Sequence, residues 1–241
     1  MSKSKLDFQT FILAGGLGTR LSRVVSDRPK PMADVLGIPF LEIVTRLLKS
    51  KGVRRFVMLV GYKAHAIEDY FTKSKFPDLE INFSYESKPL GTGGAVKNAL
   101  HFATNPTLLV NGDTYLDVDI EGLYDFHRSK KADATISLYR VSDVSRYGSI
   151  SLNHKGMVTR FTEKNIISRK PGLINAGVTF ISSSLISQLP ERRNFSMESE
   201  IFPSLVSSGR MFGLEQKGPF FDIGTPESYH EFQEFVRVKS I

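Results

Sequence analysis

Through the first half of the chain, short apolar runs alternate with stretches in which apolar residues recur every three or four positions. That alternation predicts strands and helices in turn, the pattern of a mostly parallel sheet flanked by helices. Residues 8–13 read as the first strand. A polar, Gly- and Pro-rich stretch follows to Pro31. Residues 55–60 are continuously apolar after Arg55, as expected for a strand buried on both faces. Residues 80–85 alternate, 107–110 form a short buried strand running into Asn111-Gly112-Asp113, and 135–141 form another. Between them lie helices. Phe40, Leu41, Val44, Leu47 and Leu48 fall at i, i+1, i+4, i+7 and i+8 on one face. Glu42 and Arg46 add an i,i+4 pair of favourable orientation, and Gly52 is a plausible stop. Residues 65–73, 94–102 and 120–128 are the other helices, the last opened by Asp117 and Asp119.

The second half changes character. Residues 149–152 and 157–162 flank His154-Lys155-Gly156 as a hairpin. A strand over 174–181 follows, then helical segments over 198–207 and 227–238. The fold class is therefore α/β, Rossmann-like, with a small antiparallel elaboration from about Tyr147 onward.

Composition narrows the chemistry. The 241 residues are 41% apolar and 24% charged, ordinary for a globular protein with a substantial core. There is no cysteine, which excludes disulfides, zinc-thiolate sites and thiol nucleophiles. The five histidines show no metal-ligand spacing. No stretch approaches the roughly 18 apolar residues of a membrane span, and no signal-peptide core is present, so the expectation is a cytoplasmic protein without a membrane partner. The net charge of +7 raises nucleic acid as a partner. The basic residues come in short groups, such as Lys49, Lys51, Arg54 and Arg55, without interleaved aromatics, so that partner is not expected. A solvated surface around a site for small polyanions accounts for the same charge.

The most specific feature is Leu13-Ala14-Gly15-Gly16-Leu17-Gly18-Thr19-Arg20-Leu21, directly after the first strand. Glycines let backbone N–H groups approach phosphate oxygens, and such a loop opens at the carboxyl edge of a parallel sheet, where ligands bind. The dinucleotide motif G-x-G-x-x-G fails, because Leu21 stands where its last glycine is needed. The P-loop pattern is also absent. Arg20, and Lys30 between Pro29 and Pro31, add cations suited to phosphate.

L-A-G-G-L-G-T-R-L followed by R-P-K-P-M resembles the N-terminal motif of sugar-1-phosphate nucleotidyltransferases. These enzymes join a sugar 1-phosphate to a nucleoside triphosphate and release pyrophosphate, on a nucleotide-diphospho-sugar transferase fold. The resemblance implies that Leu13, Ala14, Gly15, Gly16, Gly18 and Thr19 hold the nucleotide, and that Arg20 and Lys30 contact the triphosphate. The family often has proline near position 23, where this chain has Arg23. The attacking phosphate oxygen is already an anion, so no side-chain nucleophile is needed. The barrier is charge repulsion, and the protein must supply cations in fixed places. Mg²⁺, held by one or two carboxylates and the substrate phosphates, suits that task. Asp113 in L-L-V-N-G-D and Asp222 in F-F-D-I-G-T-P resemble the family's metal-binding aspartates. Read alone, Asp113 has a second reading as a turn residue at a strand end, and Asp222 as a helix cap before Thr225.

Tyr85-Glu86-Ser87-Lys88-Pro89-Leu90-Gly91-Thr92-Gly93-Gly94 forms a second small-residue loop. It resembles the family's base-recognition segment, which implies nucleotide contacts for Glu86, Pro89, Gly91 and Thr92. A carboxylate at 86 can accept two parallel N–H bonds. Guanine offers that pair and uracil only one such donor, which favours GTP over UTP. On the sugar side, Tyr147-Gly148, the Glu163-Lys164 pair and Asn175-Ala176-Gly177 resemble the family's sugar-phosphate contacts. That implies roles for Gly148, Glu163, Lys164, Asn175 and Ala176.

P-K-P-M-A-D-V-x-G-x-P-F-L-E and Y-E-S-K-P-L-G-T-G-G-A are most similar to D-glycero-D-manno-heptose 1-phosphate guanylyltransferases, which make GDP-heptose for surface polysaccharide. One domain over 1–241 is expected. Its nucleotide-binding part spans about 6–146, its sugar-phosphate part about 147–224 and its C-terminal helix about 225–238. A uridylyltransferase, a mannose-1-phosphate guanylyltransferase and a catalytically inactive nucleotide-sugar sensor are the alternatives. The sensor should have lost its charged site residues, and Arg20, Lys30, Asp113 and Asp222 are all present.

Overall fold

The structure is a computed structural model, and it describes residues 6–16, 21, 28–72, 76–162, 169–191 and 194–239. In chain order the first half runs β1 (Thr10–Leu13), a 3-10 turn (Lys30–Met32), β2 (Asp34–Val35), β3 (Ile38–Pro39), α1 (Phe40–Ser50), β4 (Arg55–Val60), α2 (Ala64–Thr72), β5 (Glu80–Tyr85), α3 (Gly91–Asn98), β6 (Thr107–Asn111), β7 (Thr114–Leu116) and α4 (Ile120–Lys130). The second half runs β8 (Ala134–Val141), β9 (Ser149–Leu152), β10 (Val158–Thr162), β11 (Gly172–Ile181), α5 (Ser183–Gln188), a π-helical turn (Met197–Ile201), α6 (Phe202–Ser207), β12 (Met211–Glu215), β13 (Phe220–Asp222) and α7 (Pro226–Lys239).

Among the described residues the main sheet has nine strands, with the path β10-β9-β11-β6-β1-β4-β5, and with β8 and β12 joined through β11. The pairs β1–β4, β1–β6, β4–β5 and β8–β12 are parallel. β11 runs antiparallel to β6, β8 and β9, and β10 antiparallel to β9. Seven of the nine strands thus point one way, and only β10 and β11 oppose them. The sheet is mostly parallel with an antiparallel elaboration, as the sequence pattern predicts.

Continuous apolar strands follow from burial on both faces. Phe56, Met58 and Val60 of β4 face one core, with Ile12, Phe40 and Phe232. Val57 and Leu59 face the other, with Phe11, Phe195 and Phe202. The predicted pair on α1 forms, with Arg46 Nη2 2.5 Å from a carboxylate oxygen of the buried Glu42. Asp119 caps α4 by accepting the Gly122 N–H at 3.0 Å. His127 is a core residue, 2.9 Å from the Thr135 hydroxyl, and burial lowers its pKa to about 4. It is therefore neutral and structural.

Three expectations need adjustment. The first strand begins at Thr10, not at residue 8. The helix expected over 94–102 starts at Gly91 and ends at Asn98, with a separate 3-10 turn over Leu100–Phe102. Gly91 and Thr92 thus belong to the first helical turn rather than to a loop. Asp113 does not end β6, which stops at Asn111. It stands in the turn that leads directly into β7.

Candidate active site

β1, β4 and β6 all end at one edge of the sheet, and a cleft of about 680 Å³ opens there. The residues that the sequence singles out converge on it. Leu13, Gly15, Gly16, Lys30, Glu86, Pro89, Gly91, Thr92, Asp113, Asn175 and Asp222 all line this cleft.

Lys30 lines the cleft beside Asp113 and Asp222. The 3-10 turn that carries it has Pro29 before it and Pro31 within it, and the turn is closed by the Ala33 N–H on the Lys30 carbonyl at 3.0 Å. Two prolines fix φ on either side, so the lysine leaves a stiff backbone. Its Nζ lies 2.6 Å from Asp113 Oδ2 and 3.9 Å from Asp222 Oδ1.

The two aspartates are 109 positions apart in the chain, and a small ladder joins them. β13 runs antiparallel to β7, with Asp222 opposite Thr114. The Ile223 N–H then donates to the Asp113 carbonyl at 3.1 Å, which locks the turn beside the strand. Asp222 Oδ1 also accepts the Gly224 N–H at 2.6 Å. The cap-like bond and the approach to Lys30 therefore coexist in one side chain. Two hard anionic oxygen donors flank one point, a donor set that suits a divalent cation such as Mg²⁺.

Glu86 closes one end of the cleft. Its backbone N–H donates to the Val60 carbonyl at 2.9 Å, and Oε2 accepts the Leu90 N–H at 3.1 Å. The side chain lies flat over Gly15 and Gly61. A Cβ on Gly15 would stand 2.7 Å from Glu86 Oε1, and one on Gly61 would stand 2.5 Å from it. Only glycine lets the carboxylate seat there. Burial pushes the Glu86 carboxyl above the usual glutamate range, and the Leu90 N–H pulls weakly the other way. Gly91, at φ +68°, sits against the Phe195 carbonyl, where any Cβ would collide.

Some of the residues the sequence points to do not reach the cleft. Ala14 is buried, with its N–H on the Leu59 carbonyl at 2.9 Å. Gly148 donates its N–H to the Val144 carbonyl at 3.0 Å, so that N–H is already engaged. Ala176 is wholly buried, one residue past the cleft-lining Asn175. Gly18, Thr19, Arg20, Glu163 and Lys164 lie outside the described residues.

The cleft also contains residues that the sequence did not point to. Tyr147, Phe161 and Phe220 give it an aromatic wall, and Glu198 adds a carboxylate. Phe220 stacks on Tyr139 with ring centroids 5.1 Å apart, and Tyr147 meets Phe220 edge-on. Tyr147 was visible as the neighbour of Gly148. Glu198 had no signal beyond its place at a helix start.

The model of the family described as "Nucleotidyl transferase" matches residues 9–239. The chain belongs to the nucleotidyl transferase family. Within that family it is 36% identical over 227 residues to D-glycero-alpha-D-manno-heptose 1-phosphate guanylyltransferase of Campylobacter jejuni, covering 93% of this chain and 98% of that protein. It is 34% identical to a mannose-1-phosphate guanylyltransferase of Mycobacterium tuberculosis, covering 90% of this chain and 61% of that longer protein. Among solved structures, HddC from Yersinia pseudotuberculosis complexed with GMP-PN superposes with a TM-score of 0.84 at 36% identity, covering 95% of this chain and 99% of that one. As a nucleotidyl transferase the chain has the fold that its sequence pattern predicts. Among its described residues no helix is long and apolar enough to cross a membrane.

Proposed function

We propose that this nucleotidyl transferase moves GMP from GTP to D-glycero-alpha-D-manno-heptose 1-phosphate, releasing pyrophosphate and forming a GDP-heptose for surface polysaccharide. The observation that carries the reading is Lys30 set between Asp113 and Asp222 in the same cleft as Glu86. A cation and a cation-binding pair stand together, with a base-reading carboxylate at one end. The likeness to relatives named as heptose 1-phosphate guanylyltransferases supports the same reading.

In this reading the sugar-phosphate oxygen attacks the α-phosphorus of GTP. The bond from that phosphorus to the oxygen bridging to the β-phosphate breaks, and pyrophosphate leaves with the electron pair. Lys30, and by resemblance Arg20, places positive charge against the phosphates. Asp113 and Asp222 would hold Mg²⁺, which when bound supplies further positive charge to the phosphate oxygens. Leu13, Gly15 and Gly16 face the nucleotide, together with Pro89, Gly91 and Thr92. Asn175, with Glu163 and Lys164 by resemblance, faces the sugar phosphate. The nucleotide half is then about 6–146 and the sugar half about 147–224 of one domain. The reaction belongs in the cytoplasm, where GTP is supplied.

The test is pyrophosphate release across GTP, UTP and CTP with heptose, mannose and hexosamine 1-phosphates. Release is expected with GTP and the heptose. Silence with every pair would end the reading. A preference for mannose 1-phosphate would move it to the second reading, which the similarity to a mannose-1-phosphate guanylyltransferase favours.

Glu86 gives a narrower check. Glu86→Gln keeps the shape over Gly15 and Gly61 but replaces one acceptor oxygen with a donor. The KM for GTP should rise about 10-fold, the worth of a hydrogen bond to a charged group, and the gap between GTP and UTP should shrink. An unchanged ratio of kcat/KM values would remove Glu86 as the base reader.

A further inference from the structure

Five charged side chains line the cleft among the described residues: Lys30, Glu86, Asp113, Asp222 and Glu198. Base, metal and triphosphate account for the first four. Glu198 has no part in that scheme. It stands in the π-helical turn, against the start of α3. Its Oε2 accepts the Thr92 hydroxyl at 2.6 Å and the Ser196 hydroxyl at 2.9 Å. The Met197 N–H donates to Thr92 Oγ1 at 2.9 Å, which closes the arrangement. One oxygen is therefore fixed by two donors. Among the described residues Oε1 accepts no hydrogen bond, and a carboxylate oxygen has room for two.

Charge decides what such an oxygen can meet. A carboxylate facing the phosphates would oppose their binding, so Glu198 must face an uncharged part of the substrates. The base is at the Glu86 end, which leaves the ribose and the sugar ring. Phe161 of β10 lines the same cleft, and its ring lies 5.6 Å from that of Phe202, the residue that follows the π-helical turn. Glu198 thus lies between Thr92 on the nucleotide side and β10, which belongs to the sugar half.

Resting on the heptose reading above, we propose that Glu198 is a specificity-determining residue. Its second carboxylate oxygen accepts hydrogen bonds from the hydroxyls at the far end of the sugar, the C6 and C7 hydroxyls of a heptose. A site built to hydrogen-bond a substrate hydroxyl discriminates strongly against an analogue that lacks it.

Glu198→Gln tests this, because it keeps an oxygen for Thr92 and Ser196 and removes the charge. The KM for heptose 1-phosphate is expected to rise about 10-fold. The KM for GTP and the Tm stay put, and the preference over mannose 1-phosphate, which has no C7 hydroxyl, shrinks. Glu198→Asp, with the charge kept and the reach shortened, should shrink the preference as well. That preference is a ratio of two kcat/KM values, which a partial loss of folded protein does not move. A rise in the KM for GTP alone would put the carboxylate on the ribose and overturn the inference. So would a preference unchanged in both variants of an active enzyme. Wild-type protein that turns over neither sugar would instead overturn the function itself, a separate result read before any variant is made.

Discussion

An Asp113→Asn variant is expected to release pyrophosphate about 100- to 1,000-fold more slowly than the wild type, the usual cost of removing one fixed electrostatic contributor from a phosphoryl or acyl transfer site. The change is nearly isosteric, so the turn between β6 and β7 should survive. The bond that holds it, from the Ile223 N–H to the Asp113 carbonyl at 3.1 Å, uses backbone atoms only. Asn can still accept from the Lys30 ammonium, which lies 2.6 Å from Oδ2. What it loses is negative charge, and with it affinity for a divalent cation. The defect should therefore be relieved in part when Mg²⁺ is raised. Initial rates over a Mg²⁺ titration, with thermal melting as a control for folding, make the measurement. Full activity at limiting Mg²⁺ would remove Asp113 from the metal site.

How much of this arrangement could be read from the chain depends on length scale. β4 was legible because its run of five apolar residues after Arg55 is the length of a strand and shorter than a helix. α1 was legible because its apolar stripe spans three turns. The place of Leu13, Gly15 and Gly16 at the cleft was legible because a glycine-rich segment after a parallel strand opens at the carboxyl edge of the sheet. β7 and β13 were not, since three residues carry no periodicity. Yet their ladder is what brings Asp222 beside Asp113. β12 was hidden by Gly213, whose missing side chain makes room for Leu138 and Leu152. The start of α3 was misread because glycines argue against helix, whereas here they answer to tertiary contact. Gly91 and Gly93 lie under Phe195, which is 102 positions away from Gly93. Glu198 was invisible for the same reason. Its partner Thr92 is 106 residues distant in the chain. Local chemistry was readable, and contacts set by the crossing of distant segments were not.

The second large effect separates the cation of the protein from the one it would bind. Lys30→Met should lower kcat about 100- to 1,000-fold, and raising Mg²⁺ should not restore it. The reason lies in the geometry. In the wild type the ammonium lies between two carboxylates, 2.6 Å from one and 3.9 Å from the other, and only a tenth of the side chain is exposed. It offsets one of the pair's two negative charges, and it also competes with any metal for the same oxygens. Removing it leaves Asp113 and Asp222 facing each other with less opposing charge, so the variant should bind Mg²⁺ at least as tightly as the wild type. Turnover is nevertheless lost, because the phosphates no longer meet a fixed positive charge at the end of a proline-stiffened turn. Lys30→Arg should rescue little, since the broader planar guanidinium does not fit a point contact between two carboxylates. Calorimetric Mg²⁺ binding set beside kcat gives opposite patterns for the two variants. Asp113→Asn weakens the metal and is rescued by it, and Lys30→Met keeps the metal and is not. A Lys30→Met enzyme restored by added Mg²⁺ would mean that the lysine only holds the aspartates in place, and that the charge at the α-phosphorus comes from elsewhere in the cleft.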